Sequence, residues 1–368
     1  MKDIGVYIHV PFCERKCYYC DFYSIKGDDD VMDKYVAELC VEIKKAAGSH
    51  IDKSVKTIYL GGGTPSLLKV DYLDKILNTV RSFFATDIKE VTIEVNPNSS
   101  DNISSYPSLG INRLSIGVQS TDDMILKKLG RLHNSVQAID ALDRANNFFD
   151  NISADIIIGV DENQDVARDL EIILPRVKHL SSYILKVEDG TLLKMQISNK
   201  TVSIATEDAV IRQYDKMHEI CKEHGFYRYE VSNFAKFNYE SKHNLSYWKM
   251  IEYLGFGPSA HSYVDGRRYY NSADLKDYFS GMHSGYDREI LERPVSLEDD
   301  ITEFVMLALR TPSGLVFSEF KSRYGFDYLD KHLGSVKKMG EYLIVTKDKI
   351  AIRPEYYLVQ NYIIRELL

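Results

Sequence analysis

Three cysteines near the start of the chain, Cys13, Cys17 and Cys20, stand at C-x3-C-x2-C spacing. They follow a short alternating apolar run, Tyr7-Ile8-His9-Val10-Pro11-Phe12. Thiolates this close in sequence can converge on one small inorganic centre. A cubane iron–sulfur cluster normally takes four thiolates. Three leave one iron without a protein ligand, and an open metal position invites chemistry. The rival reading is a structural zinc knuckle, which asks for a fourth Cys or His, and His9 is the one candidate close in sequence. The spacing favours the open cluster.

Two further stretches carry chemical promise. Gly61-Gly62-Gly63-Thr64-Pro65 follows an apolar run. Glycines let a ligand approach the backbone closely, and the absence of a following Gly-Lys-Ser/Thr excludes a P-loop. Alone, the run reads as a tight strand–helix turn. Beside an open iron, its peptide edge can hold the amino and carboxylate groups of an amino acid. The second stretch is Lys242-His243-Asn244-Leu245-Ser246-Tyr247-Trp248, with the chain's only Trp. His243 and Tyr247 share a face if the segment is helical. A His among aromatics suits an axial ligand and wall for haem. On the residues alone, a core His beside a packed Trp is the plainer alternative.

The elements that must position these residues are legible as alternating strands and helices. Strands are expected at Ile4–Val10, Val55–Leu60, Glu90–Val95, Asn112–Val118, Ile152–Ile158 and Ser181–Val187. Helices are expected at Val31–Ala47, Tyr72–Phe84, from Asp122 to Phe149 with a break near Gly130, Val166–Val177 and Glu207–His224. Repeated strand–helix units imply parallel strands with helices outside. Six such strands without a dinucleotide fingerprint predict an α/β fold, a partial (β/α)6 TIM-type barrel. Barrel chemistry gathers at the C-terminal strand ends. The Cys loop, the Gly run, Glu94 and Gln119 all fall there, while Asp155 is a carboxylate within an apolar strand. After residue 225 the pattern changes. A short strand at Tyr227–Ser232 and an aromatic-rich stretch from Phe234 to His261 lead to helices at Leu275–Gly281, Thr302–Leu309, Phe317–Tyr324 and Leu329–Met339. A hairpin at Tyr342–Ile352 follows. Residues 1–225 and 226–368 are therefore read as two domains, the second a smaller α+β unit ending in a winged-helix-like module.

Composition narrows the class. A net charge of −8 with no long basic run argues against nucleic acid, which needs a positive surface. No segment approaches the roughly 18 apolar residues of a membrane span. No secretory leader opens the sequence. Five Cys, three of them clustered, fit a reduced cytoplasmic setting in which clustered thiols are metal ligands rather than disulfides. Cys40 and Cys221 read as buried small hydrophobes.

The cysteine spacing with an aromatic before the last Cys, and Gly-Gly-Gly-Thr-Pro about forty residues on, resembles the radical S-adenosylmethionine (SAM) superfamily. Tyr-Ile-His-Val-Pro-Phe-Cys and Cys-Asp-Phe-Tyr-Ser are similar to the oxygen-independent coproporphyrinogen III oxidase group. So are Glu94-Val95-Asn96-Pro97, Arg113 to Ser120, Leu129 to His133, Asp155 to Gly159 and Tyr229 to Ser232. The resemblance implies that Cys13, Cys17 and Cys20 hold a [4Fe–4S] cluster, with SAM on the fourth iron. It implies Gly62, Gly63 and Thr64 at the SAM amino end, Tyr7 on its adenine side, and Glu94, Gln119, Arg131 and Asp155 completing the pocket. On residue types alone, Glu94 and Asp155 also suit burial against Arg113 or Lys186, Gln119 suits a helix cap, and Arg131 suits the surface.

H-N-x-x-Y-W resembles the signature of this group's haem chaperone branch, implying haem at His243, Tyr247 and Trp248, with recipient haem proteins, respiratory enzymes among them, as partners. That role is compatible with peripheral membrane association. The oxidases, whose reaction is oxidative decarboxylation of coproporphyrinogen III, carry a fourth Cys two residues after the third, where Phe22 stands here. They also have a longer segment before the cluster than the twelve residues here. Two departures concern the whole group: Gly159-Val160-Asp161-Glu162-Asn163-Gln164 replaces its Gly-Leu-Pro-x-Gln-Thr, and Arg353-Pro354-Glu355 lacks its Thr-x-x-Gly.

Overall fold

Residues 1–283, 289–291 and 295–368 are described by the structure, a computed structural model. Six strands lie side by side in chain order: β1 (Lys2–Val10), β2 (Lys53–Gly62), β3 (Ala85–Val95), β4 (Arg113–Gln119), β5 (Ile152–Ile158) and β6 (His179–Ile184). Every neighbouring pair among them is parallel. Parallel neighbours require crossovers, supplied chiefly by α1 (Asp29–Ser49), α2 (Val70–Phe83), α3 (Asp123–Leu129), α4 (Ser135–Ala145) and α5 (Val166–Ile173). Strands covered on both faces read as unbroken apolar runs, and all seven residues of β4 are buried. The expected strands and helices of this half are all present, so the fold is the partial barrel anticipated.

Local chemistry fixes the helix starts. Asp28 accepts the Val31 N–H at 2.9 Å, and Asp29 and Asp30 occupy the first turn of α1, where the helix dipole favours negative charge. The apolar stripe Tyr35, Val36, Leu39, Cys40 and Ile43 then faces the sheet. Cys40 and Cys221 are buried in the main core, as small hydrophobes.

Beyond β6 come α6 (Leu192–Ser198) and α7 (Glu207–Glu223), then β7 (Tyr227–Arg228), β8 (Asn233–Ala235) and α8 (Lys242–Trp248). The expected strand at Tyr227–Ser232 is instead a hairpin, because Glu230 accepts the Ser232 N–H at 3.1 Å and turns the chain. The aromatic-rich stretch is also more regular than its composition suggests. It contains α8 and β9 (Tyr253–Phe256), followed by β10 (His261–Val264) and β11 (Arg267–Asn271). After α9 (Leu275–His283), β12 (Glu289–Leu291) completes a single twelve-stranded sheet. β8 and β7 extend it past β6 in antiparallel fashion, while β9 pairs in parallel with β1 at the other edge.

The C-terminal module has its own core, built on Val305, Leu309, Phe320, Tyr328, Ile350 and Ile363. It contains α10 (Leu297–Ala308), β13 (Leu315–Val316), α11 (Phe317–Tyr324), α12 (Tyr328–Lys338), β14 (Leu343–Val345), β15 (Lys349–Ile352) and α13 (Gln360–Leu367). The three short strands pair antiparallel in the order β13-β15-β14.

A buried charge braces the start of β2 against the segments that flank β9 and β10. Lys53 is buried, and its ammonium lies 2.6 Å from Glu252 and 2.7 Å from Asp265. Lys53→Met removes the cation and leaves two carboxylates facing each other, a loss expected to cost about 2 kcal/mol in chemical denaturation. A midpoint unchanged from the parent would show the triad to be energetically idle.

Candidate cluster and cofactor site

The C-terminal ends of the six parallel strands open into a cavity of about 510 Å³. Its wall includes Cys13, Cys17, Cys20, Gly62, Gly63, Thr64, Glu94, Gln119, Arg131 and Asp155. Residues up to 142 positions apart in sequence thus share one space. Tyr7 does not line this cavity. Its ring stacks on Tyr59 at 6.2 Å and its hydroxyl bonds His9 at 3.1 Å, so it faces a neighbouring cavity instead.

The Cys loop is held by its backbone. The Cys13 N–H donates to Ile25 O at 2.9 Å, Ile25 N–H to Pro11 O at 2.8 Å, and Tyr18 N–H to Leu129 O at 3.0 Å. Arg15 donates to Gly130 O at 3.1 Å, which fixes the loop against the turn that carries Arg131. Among the described residues, no three His, Cys, Asp or Glu side chains are grouped to hold a metal ion. Burial pushes the Cys20 thiol up to about 11, so loading an iron centre must release its proton.

The Gly run is tight for a reason. Gly62 has φ +104°, and a side-chain carbon there would stand 2.6 Å from the His9 ring. At Gly63 it would stand 2.6 Å from Phe12 O. Thr64 Oγ1 lies 3.6 Å from Cys13 Sγ and accepts from the Asn96 amide at 2.8 Å.

The polar wall is a network rather than scattered charges. Arg131 donates to Asn96 Oδ1 at 2.5 Å, to Gly117 O at 2.9 Å and to Cys17 Sγ at 3.4 Å. Its Nε is buried and has no hydrogen-bond partner among the described residues, a donor suited to an anionic ligand. Glu94 accepts from Tyr59 Oη at 2.8 Å and Gly62 N–H at 3.1 Å, and Asp155 from Ser115 at 3.1 Å. Arg131 is therefore no surface charge; Lys186 does not pair with these carboxylates, while the buried Arg113 guanidinium acts on both through its charge without a hydrogen bond. Gln119 does not cap α3, since Asp122 does. It adopts φ +67°, a strained conformation for a residue with a side chain. Asn96 and Tyr59 were missed by sequence reasoning. The Asn96-Pro97 strand end was the available signal for the first.

α8 closes the opposite end of the barrel. Glu90 accepts the N–H groups of Lys242 and His243, both at 3.0 Å, placing a carboxylate at the start of the helix. The His243 ring points inward and is 1% exposed. Its Nδ1 is 2.8 Å from Thr57 Oγ1 and its Nε2 2.8 Å from Tyr247 Oη. Burial, with the Arg113 guanidinium second, pushes it down to about 3, so the imidazole is neutral. In this arrangement His243 is a satisfied plug of the barrel interior. Tyr247 reaches outward to the cavity that Tyr7 lines, and Trp248 is half-buried at the helix end.

The Radical SAM superfamily profile matches residues 7–172. The haem chaperone HemW of Lactococcus lactis is 33% identical over 333 residues, spanning 88% of this chain and 86% of its own. The chain belongs to the HemW family. The haem chaperone HemW of Bacillus subtilis is 32% identical over 87% of both chains, and that of Escherichia coli 34% over 73% of this chain and 72% of its own. The coproporphyrinogen III oxidase (HemN) structure from Escherichia coli superposes with a TM-score of 0.86 over all of this chain and 90% of that one. At 19% identity it shows a shared fold. Superfamily membership implies a [4Fe–4S] cluster and SAM.

Two departures from the group can be placed in this HemW-family chain. Phe22 is exposed and lies on the cluster cavity wall, so no fourth thiol enters there. The altered loop after β5 is braced from within. Gln164 donates to Ile157 O at 2.8 Å and accepts from Val160 N–H at 3.1 Å. Gln213 accepts from Gly159 N–H and donates to Asp161 O, each at 2.8 Å. These contacts turn the loop outward, and its residues do not line the cluster cavity.

Glu94 makes the site pH-sensitive. Burial pushes its carboxyl up to about 7. Between the ordinary value of 4.5 and about 7, the folded chain holds a proton that the unfolded chain has lost. Stability of the cofactor-free protein is therefore expected to fall as pH rises through that window. Thermal melts at pH 5 and pH 8 should show a drop on the order of a few kcal/mol, shared with the buried Glu230, whose carboxyl is also pushed up to about 7, so that Glu94→Gln reduces it. An equal drop in both proteins would place the titration elsewhere.

Proposed function

We propose that this chain is a haem chaperone that binds haem, a [4Fe–4S] cluster and SAM, and hands haem to recipient haem proteins. Residues 1–225 form the cluster-binding unit in this reading, and residues 226–368 the haem-side unit. Cys13, Cys17 and Cys20 hold the cluster. Gly62, Gly63 and Thr64 offer backbone and hydroxyl groups to the SAM amino end. Arg131, with its unpartnered buried Nε, is suited to the SAM carboxylate. Glu94 and Asp155 supply acceptors, and Gln119 completes the wall. When bound, the cluster and SAM supply one-electron cleavage chemistry. The protein's part is to orient the ligands and to keep water out with Tyr19, Ile157 and Leu185. On the haem side, Tyr247 and Trp248 belong to the segment offered to the macrocycle, with His243 bracing Tyr247 from the barrel interior.

The observation that carries this reading is the likeness to HemW chaperones over most of the chain. Phe22 agrees with it, standing in the cavity where an oxidase would carry Cys. No helix among the described residues is long and apolar enough to cross a membrane. Delivery to respiratory enzymes would then be a peripheral encounter from the cytoplasm. Anaerobic reconstitution tests the proposal. Stoichiometric haem binding without conversion of coproporphyrinogen III supports it. Turnover of coproporphyrinogen would make the chain an oxidase and end the chaperone reading.

A further inference from the structure

At the lower end of the barrel, where β1, β2 and β3 begin, a slot of about 320 Å³ opens beside α8. Ile4, Gly5 and Thr57 form its buried back, and Ile251 adds a further apolar wall. The helix contributes Lys242 and Ser246, four residues apart and so on one face. The back of the slot lies against the His243 ring. Thr57 Oγ1 bonds its Nδ1 at 2.8 Å, and a side-chain carbon at Gly5 would stand 3.4 Å from the same imidazole.

The rim is charged, with an excess of cations. Lys56 lies 2.9 Å from Asp87 and 3.5 Å from Asp3, and Lys89 lies 2.6 Å from Asp87. Lys89 first, and then Lys56, holds the Asp87 carboxyl down to about 2. Lys242 is exposed, and among the described residues no carboxylate pairs with it. Three lysines thus face two aspartates here, in a chain whose net charge is −8.

The strands are irregular at this rim and nowhere else along β1 and β3. In the β1–β2 register Ile4 faces Val55 and Gly5 faces Thr57, which leaves Lys56 unmatched. In the β2–β3 register Val55 faces Thr86 and Thr57 faces Glu90, so residues 87–89 stand opposite that same lysine. Bulges are rare between parallel strands, and they re-aim side chains beside functional sites. Both of these fall on the residues that carry the rim charges, Lys56, Asp87 and Lys89.

A slot with an apolar back and a cationic rim suits the edge of a flat apolar molecule that ends in carboxylates. Haem has that form, since both of its propionates leave one edge of the macrocycle. Resting on the haem-binding reading above, we infer that this slot receives the propionate edge of haem, with Lys242 pairing to a propionate and Lys56 and Lys89 keeping the rim positive. The macrocycle is larger than the slot, so the remainder lies along α8. Lys242 is then a specificity residue, one position before the H-N-x-x-Y-W segment, that selects a porphyrin by its carboxylates.

The test titrates the full chain, reconstituted anaerobically with its cluster, with haemin and with haemin dimethyl ester, whose propionates are neutral. The parent should bind haemin the more tightly. Lys242→Gln should weaken haemin binding about fivefold, the upper range for an exposed ion pair, and leave the ester's affinity unchanged. Lys242→Glu should weaken haemin further and again spare the ester. It stands at the first position of α8, where an acidic side chain suits the helix dipole, and circular dichroism confirms its fold. Lys249→Gln removes the same charge at the other end of the helix, outside the slot, and should change haemin affinity less than about twofold. Equal losses for haemin and ester in the Lys242 variants, or haemin affinity unchanged in Lys242→Glu, would overturn the assignment. A parent chain that binds neither form would sink the chaperone reading itself, so the two failures are separable.

Discussion

Cys17→Ser should strip the protein of its iron while leaving it folded. The parent, reconstituted without oxygen, is expected to carry about four iron and four sulfide per chain. The variant should carry close to none, because two thiolates and a weak hydroxyl ligand do not retain a cubane. Its far-ultraviolet circular dichroism should match the parent's. The reason is in the loop's backbone: Cys13, Tyr18 and Ile25 donate to fixed carbonyls, and Arg15 ties the loop to Gly130, all without metal. The change in apo stability should stay within about 0.5 kcal/mol, as for a surface substitution. A variant that unfolds would show the cluster to be a structural staple. One that keeps full iron would remove Cys17 from the ligand set.

Gly63→Ala should do the reverse and damage the fold as well as the site. A β-carbon there would meet Phe12 O at 2.6 Å, Val10 O at 2.8 Å and Phe12 N at 3.0 Å, all backbone atoms that cannot step aside. The Gly63 N–H also donates to Val10 O at 2.8 Å, so moving this residue unpicks the end of β1 that leads into the Cys loop. A loss of about 3 kcal/mol is expected in urea unfolding, with cluster content falling in parallel. Gly48→Ala is the control. It lies in α1 with nothing near its missing side chain, and the same substitution should stabilise by about 0.5–1 kcal/mol. Two Gly-to-Ala changes of equal effect would refute the steric argument.

The half of the fold that was readable from sequence is the half where each strand contains its own evidence. β1 to β6 are apolar runs bounded by turn residues, and their order in the sheet follows their order in the chain. The Cys spacing and the Gly run are equally local, and so were visible. What escaped depends on distant partners. β9, β10 and β11 are four or five residues long and rich in Tyr. β9 gains its strand character by pairing with β1, about 250 positions away, and β10 and β11 are added outward from it. Tyr7 was placed on the SAM adenine side by the family resemblance, and the structure sets its ring against Tyr59 and His9 on the wall of the neighbouring cavity. His243 was placed at haem by the resemblance, while the residues alone favoured a core histidine. Only Thr57, on another strand, reveals that the ring faces in. Arg131 is the converse case. A cation in a loop reads as surface, and its burial is set by Asn96 and Gly117, which no local pattern connects to it.

The parallel pairing of β1 with β9 has a consequence for synthesis. On the ribosome, the strand that leads into the cysteine loop emerges first, and β2 gives it a neighbour within about fifty residues. Its outer edge stays bare until residue 253 is made. At roughly 5–20 residues per second that is a wait on the order of ten seconds or more. An unpaired edge beside three unligated thiols is open to other strands and to oxidants throughout that interval. Chains truncated before β9 should therefore accumulate as aggregates. Delivery of iron and sulfide is best timed after the last third of the protein has closed the sheet.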